Sequence, residues 1–151
     1  MKKVFRIVLI GVCVMMFTAS VFAATAEDEA KAMVDKAIAF LKANGKDKGF
    51  AEINKPDGQF VKGDLYINVF SLSGTMLANG VNPKLIGVDG GKLQDPDGKM
   101  FMKEIIDRAA SEGKGWVEYK WTNPKTKKIE PKVAYFVKCN DMIVSAGTYK
   151  K

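Results

Sequence analysis

GWVEYKWTNPKTKKIEPKVAYFVKCNDMIVSAGTY, residues 115–149, decides the fold of this chain. Three apolar, β-branched and aromatic runs, Trp116 to Trp121, Val133 to Cys139 and Met142 to Tyr149, are separated by a polar Lys-rich connection and by the short turn at Cys139-Asn140-Asp141. That pattern predicts a three-stranded antiparallel meander. Side chains alternate across a strand, so Trp116 and Glu118 share one face while Val117, Tyr119 and Trp121 share the other. The aromatic cluster of Trp116, Tyr119, Trp121 and Tyr135 therefore cannot all line one cavity. Each member is either core or pocket wall, and the alternation alone leaves that choice open. Lys125, Lys127 and Lys128 at the hairpin tip read as a solvated loop.

Upstream of the meander, GKMFMKEIIDRAASEGKG carries Met102, Ile105, Ile106 and Ala109 at helical spacing, with Gly113 just past the end. Residues 80–98 are rich in Gly and Pro and exceed the usual length of a connection, which favours a functional segment such as the cover of a site. Before them, DLYINVF at 64–70 alternates, with Leu65, Ile67 and Val69 on one face and Tyr66, Asn68 and Phe70 on the other; TMLAN at 75–79 reads as its hairpin partner. Ala30, Met33, Val34, Ala37, Ile38 and Leu41 form an amphipathic stripe that stops at Asn44-Gly45, and a short helical piece follows from about Asp47 to Asn54. The order is helix, helix, two strands, helix, three strands. It predicts an α+β domain with an antiparallel sheet of about five strands and helices against it.

The first 23 residues have another purpose. Lys2, Lys3 and Arg6 precede an apolar run from Ile7 to Phe17, and Val21-Phe22-Ala23 offers small residues before a cut, the pattern of a secretory signal peptide cleaved after Ala23. The expected mature protein, residues 24–151, is one exported domain located in the periplasm. Removing the leader lowers the formal net charge from +7 to +4, too small a surplus beside 17 acidic residues to suggest a nucleic-acid partner. Cys139 becomes the sole cysteine and reads as a small buried hydrophobe.

Catalysis is disfavoured by the same inventory. The chain has no histidine, which removes the commonest general base and metal ligand and rules out Ser-His and Cys-His nucleophiles. Asp57, Asp95 and Asp97 lie in Pro-Asp-Gly or Asp-Pro contexts that explain them as turn formers. The Asp95-Pro96-Asp97-Gly98-Lys99 run lacks the later ligands of a calcium loop, and Gly87 to Gly91 lacks the lysine of a phosphate loop. Neither a catalytic residue, a metal nor a cofactor is expected.

The succession GDLYINVFSLSGTMLANGVNPKLIGVD, DPDGKMFMKEIIDRAASEGKGWVEYKW and KIEPKVAYFVKCNDMIVSAGTYK, over about residues 27–150, resembles the single Cache domain of the second type, a PAS-like extracytoplasmic sensor module. The resemblance implies a long N-terminal helix packed across an antiparallel sheet, with a small-ligand pocket on the opposite sheet face. It implies small organic acids, such as acetate, propionate, lactate or pyruvate, as ligands, and Lys132, in the Pro-Lys entry to its strand, as the cation that meets the carboxylate. The expected ligand-binding set is Tyr66, Asn68, Trp116, Tyr119, Trp121, Lys132 and Tyr135. Members of the family often carry histidine where this chain has Asn79. Because the sequence stops at Lys151, just after the last strand, the expectation is a free-standing form that passes ligand or signal to a membrane receptor, histidine kinase or transporter. A ligand-free, PAS-like homodimer that docks on such a partner is the competing expectation.

Overall fold

Six strands and two helices organise the chain in the computed structural model, which describes residues 24–150; the signal-peptide reading of residues 1–23 lies outside the described residues. Helix α1 runs from Ala26–Ile53 and opens with a reciprocal cap in which Thr25 and Asp28 satisfy each other's backbone N–H. Gly45, at φ +79° and ψ 170°, breaks it where the Asn-Gly stop was read, and helical geometry resumes through Ile53. The strands are β1 (Val61–Lys62), β2 (Leu65–Ser71), β3 (Met76–Asn79), β4 (Lys114–Thr122), β5 (Ile129–Cys139) and β6 (Met142–Tyr149), with helix α2 (Phe101–Ser111) between β3 and β4. All pairings are antiparallel, in the order β1-β2-β6-β5-β4, and β3 shares the free edge of β2 with β1. The fold is α+β, as expected. The sixth strand is the two-residue β1, too short to leave a period in the sequence.

Alternation decides what each sheet face becomes. Leu65, Ile67 and Val69 of β2 join Val144 and Ala146 of β6 beneath Val34, Ala37 and Leu41 of α1, forming a fully apolar core. On the opposite face α2 lays Phe101, Met102, Ile105 and Ala109 over Phe70, Val117, Phe136 and Ile143. The amphipathic stripe read at residues 102–109 is thus buried, except that Ile106 is only partly covered. Helix α2 covers one end of this face and leaves the other end to the segment at 80–98.

That segment is ordered by its own backbone. Met76 N–H donates to Val88 O, Gly87 N–H donates to Met76 O, and a short 3₁₀ turn spans Pro83–Leu85. Asp95 is buried and performs turn duty: its carboxylate accepts from the N–H groups of Asp97 and Lys99 and, at 3.1 Å, from Lys120 N–H of β4. Burial alone would raise its pKa, yet these three backbone donors outweigh that effect and hold the carboxyl below the usual range. The outer edge of β4 is further occupied by Arg108, which donates to Trp116 O at 2.5 Å, and by Lys99, which donates to Glu118 O at 2.6 Å.

Candidate functional site

Lys132 is the anomaly from which the site is built. It projects from β5 on the α2 side of the sheet, is 1 % exposed, and its ammonium has no hydrogen-bond partner among the described residues. A buried unpaired ammonium is costly, because desolvation of the charge is not offset. Its immediate neighbours are ring faces: Nζ lies 4.1 Å from the Tyr66 centroid and 4.9 Å from that of Tyr149. These cation–π contacts recover part of the cost but accept none of its three N–H bonds.

The side chain reaches this position by crossing Gly147 of β6. A Cβ on Gly147 would sit 2.5 Å from Lys132 Cε, 3.0 Å from Ala134 Cβ and 3.0 Å from Val133 O. Glycine here leaves the room through which the lysine passes, and a methyl would force Lys132 to shift. Tyr149, directly opposite Lys132 across the β5–β6 pair, donates its hydroxyl to Thr122 O at 2.9 Å. Burial, and next the neighbouring Tyr66, push the Tyr149 phenol well above its ordinary pKa; burial does the same for Tyr119. Both remain neutral at physiological pH, and because the Tyr149 proton is committed to Thr122 O, the proton left to share is that of Tyr119.

Aromatic walls enclose the neighbouring space. Phe101 stacks on Tyr119 at 4.1 Å with ring planes 5° apart, and Trp121 meets Phe101 edge-on at 5.4 Å. Between these rings and β2 lies an inner cavity of about 20 Å³ whose walls include Tyr66, Asn68, Asn79, Tyr119 and Trp121. Outside it opens a cleft of about 390 Å³ that shares Tyr66, Asn79, Leu85 and Trp121 with the inner cavity. Leu85 belongs to the 3₁₀ turn of the long connection, so that segment forms part of the wall between cavity and solvent. Among the described residues no three Asp, Glu or Cys side chains gather as metal ligands.

A family model described as Single Cache domain 2 matches residues 14–151. The chain belongs to the single Cache domain 2 family. Cache domains are extracytoplasmic sensor domains of chemotaxis receptors, typically without enzymatic activity. Among solved structures, this chain is similar to a Cache chemosensory domain described for its carboxylic acid recognition, with 25 % identity, a TM-score of 0.69, and 85 % of this chain and 100 % of that one covered. It is also similar in fold to a methyl-accepting chemotaxis protein from Vibrio parahaemolyticus (22 % identity, TM-score 0.68, 82 % of this chain and 87 % of that one). The periplasmic sensor domain of a chemotaxis protein gives 22 % identity and a TM-score of 0.65 over 82 % of this chain and 90 % of that one. No helix among the described residues is long and apolar enough to cross a membrane.

In this Cache domain Tyr66, Asn68, Tyr119, Trp121 and Lys132 lie on one sheet face, whereas Trp116 and Tyr135 do not join them. These two are cross-strand partners on the α1 face, with centroids 5.0 Å apart and the Lys31 ammonium 5.7 Å from the Trp116 ring. They pack against the apolar core and lie on the wrong side of the sheet to line the cavity. The physical reason is register: Trp116 pairs with Tyr135, and paired residues project to the same face. Three residues absent from the sequence-derived set complete the geometry. Tyr149 stands in the sequence as the end of the last apolar run, Asn79 as the position where histidine is common, and Phe101 as one more apolar residue at a helix start.

Proposed function

We propose that this Cache domain binds a small organic carboxylate of the acetate, propionate, lactate or pyruvate type, in the periplasm after cleavage of the leader at Ala23. The observation that carries the reading is the buried Lys132 ammonium without an acceptor, for which a carboxylate is the matching partner. Support comes from the neutral phenol of Tyr119 nearby and from the similarity to a domain described for carboxylic acid recognition.

On this reading the acid enters by the outer cleft and its carboxylate pairs with Lys132, while the aromatic walls exclude water. The inner cavity holds a guest no larger than about one water, so the ligand gains room by displacing the Leu85 and Trp121 walls toward the cleft. Ligand-dependent ordering of that wall is then the signal offered to a receptor, kinase or transporter.

Isothermal titration and thermal unfolding of residues 24–151 with a panel of short mono- and dicarboxylates test it. A bound acid at a hundred times its Kd stabilises the fold by about 2.7 kcal/mol. One or more short monocarboxylates should raise the midpoint in the wild type and leave Lys132→Met unmoved. Silence across the panel would overturn the reading in favour of a ligand-free docking module.

A further inference from the structure

Asn68 and Asn79 form a buried amide pair whose polarity is fixed by the backbone, not by the ligand. Asn79 Oδ1 accepts from Val81 N–H at 2.9 Å and from Asn82 N–H at 2.6 Å. Only an oxygen can meet two N–H donors, so the Asn79 amide has one possible orientation. Its Nδ2 therefore donates to Asn68 Oδ1, at 2.8 Å. Asn68 Oδ1 is thereby engaged, and the group Asn68 retains for the cavity it lines is Nδ2, a pure donor. A turn at residues 79–82 thus dictates which atom of a side chain on the neighbouring strand faces the guest.

We infer that this relay makes Asn68 the specificity-determining residue and Asn79 its positioning residue, selecting acids that carry an acceptor oxygen at C2, 2-oxo acids above all. The inference rests on the carboxylate reading of the site. Asn68 follows Tyr66 on the same face of β2, roughly 7 Å farther along the strand. Lys132 sits over Tyr66. Lys132 does not itself line the inner cavity, so a three-carbon acid that displaces the cavity wall beside Tyr66 would bridge the two, its carboxylate on the ammonium and its C2 oxygen on Asn68 Nδ2, with hydrogen bonds of about 2.9 Å at each end. A C2 ammonium would instead face a donor and a second cation. An unsubstituted C2 would leave the amide protons unmet, which is a larger penalty than the loss of one bond.

Four acids of equal length, pyruvate, lactate, propionate and alanine, differ only at C2 and form the test by isothermal titration. Pyruvate should bind roughly tenfold tighter than propionate. Lactate, whose hydroxyl also accepts, should fall between them, and alanine should not bind measurably. Asn79→Asp keeps an acceptor for Val81 and Asn82 but turns Asn68 to donate toward it, exposing Oδ1 to the cavity, so the pyruvate preference should vanish while propionate binding persists. Asn68→Ala serves the same end should Asn79→Asp fail to fold: it deletes the donor and should equalise pyruvate and propionate. Equal affinity for pyruvate and propionate in the wild type, or an unchanged preference in a folded variant, would overturn the relay and leave the carboxylate site standing. No binding by any of the four in wild type would overturn both.

Discussion

The two faces of one sheet follow opposite rules. Toward α1, every buried residue of β2 is aliphatic, and Leu65, Ile67 and Val69 close on a core with nothing left to hydrogen-bond. Toward the loop, the intervening residues Tyr66 and Asn68, together with Asn79, Ser145 and Lys132, are buried polar groups. A single alternating strand thus supplies both an apolar core and a row of buried polar groups, and the second works against the first. The lesson is that the site face is held in shape by the other face, which is free to be wholly apolar.

Breaking the α1 face should give the largest effect. Ile67 is fully buried on β2 beneath α1, so Ile67→Ala should cost about 2–5 kcal/mol in urea unfolding while the protein that remains folded keeps its acid affinity. Gly147→Ala, on the other face, should cost about 1–3 kcal/mol through overpacking and also abolish binding, because the new methyl occupies the path of Lys132. Lys132→Met sharpens the contrast by reversing sign: the ligand-free protein should gain about 1–3 kcal/mol on losing an unpaired buried donor. A less stable Lys132→Met protein would show that the ammonium is already well compensated.

A pH effect of smaller size resides in Asp95. Its folded pKa is depressed, so its contribution is fully present above the ordinary carboxylate value of about 3.9 and is lost as pH falls through the lower folded value. Asp95→Asn should therefore be less stable than wild type near neutrality, and the gap should close on acidification, as followed by urea midpoints. Acid binding should weaken over a similar range as the ligand itself is protonated. The smallest expected change is Tyr135→Phe on the α1 face, within about 0.5 kcal/mol and with unaltered affinity. Tyr119→Phe on the site face should lower affinity severalfold by titration.

Much of this was legible because it depends on local periodicity. The alternation in Leu65 to Phe70 assigned both faces of β2, the stripe at residues 30–41 gave α1, and Asn44-Gly45 gave its break. Strand parity located Trp116 opposite Tyr119 as well. The side on which Tyr135 falls required the pairing of β4 with β5, a contact between residues 19 positions apart, and no period within either strand carries it. The amide relay was hidden for a similar reason: it joins Asn68 to a turn whose backbone N–H groups have no sequence signature. Likewise, Gly147 reads as a weak point in a strand until the lysine above it is placed.

The outer edge of β4 has a consequence for how this domain is touched by others. Trp116 O, Glu118 O and Lys120 N–H, three of the groups an added strand would use, are already taken by Arg108, Lys99 and Asp95. At the far end of the sheet β1 is only two residues long. Short and plugged edges resist edge-to-edge aggregation and give an extended peptide little to zip onto. On the proposed reading, a receptor or a second copy is then expected to grip helix and loop, the segments that pack over the two sheet faces.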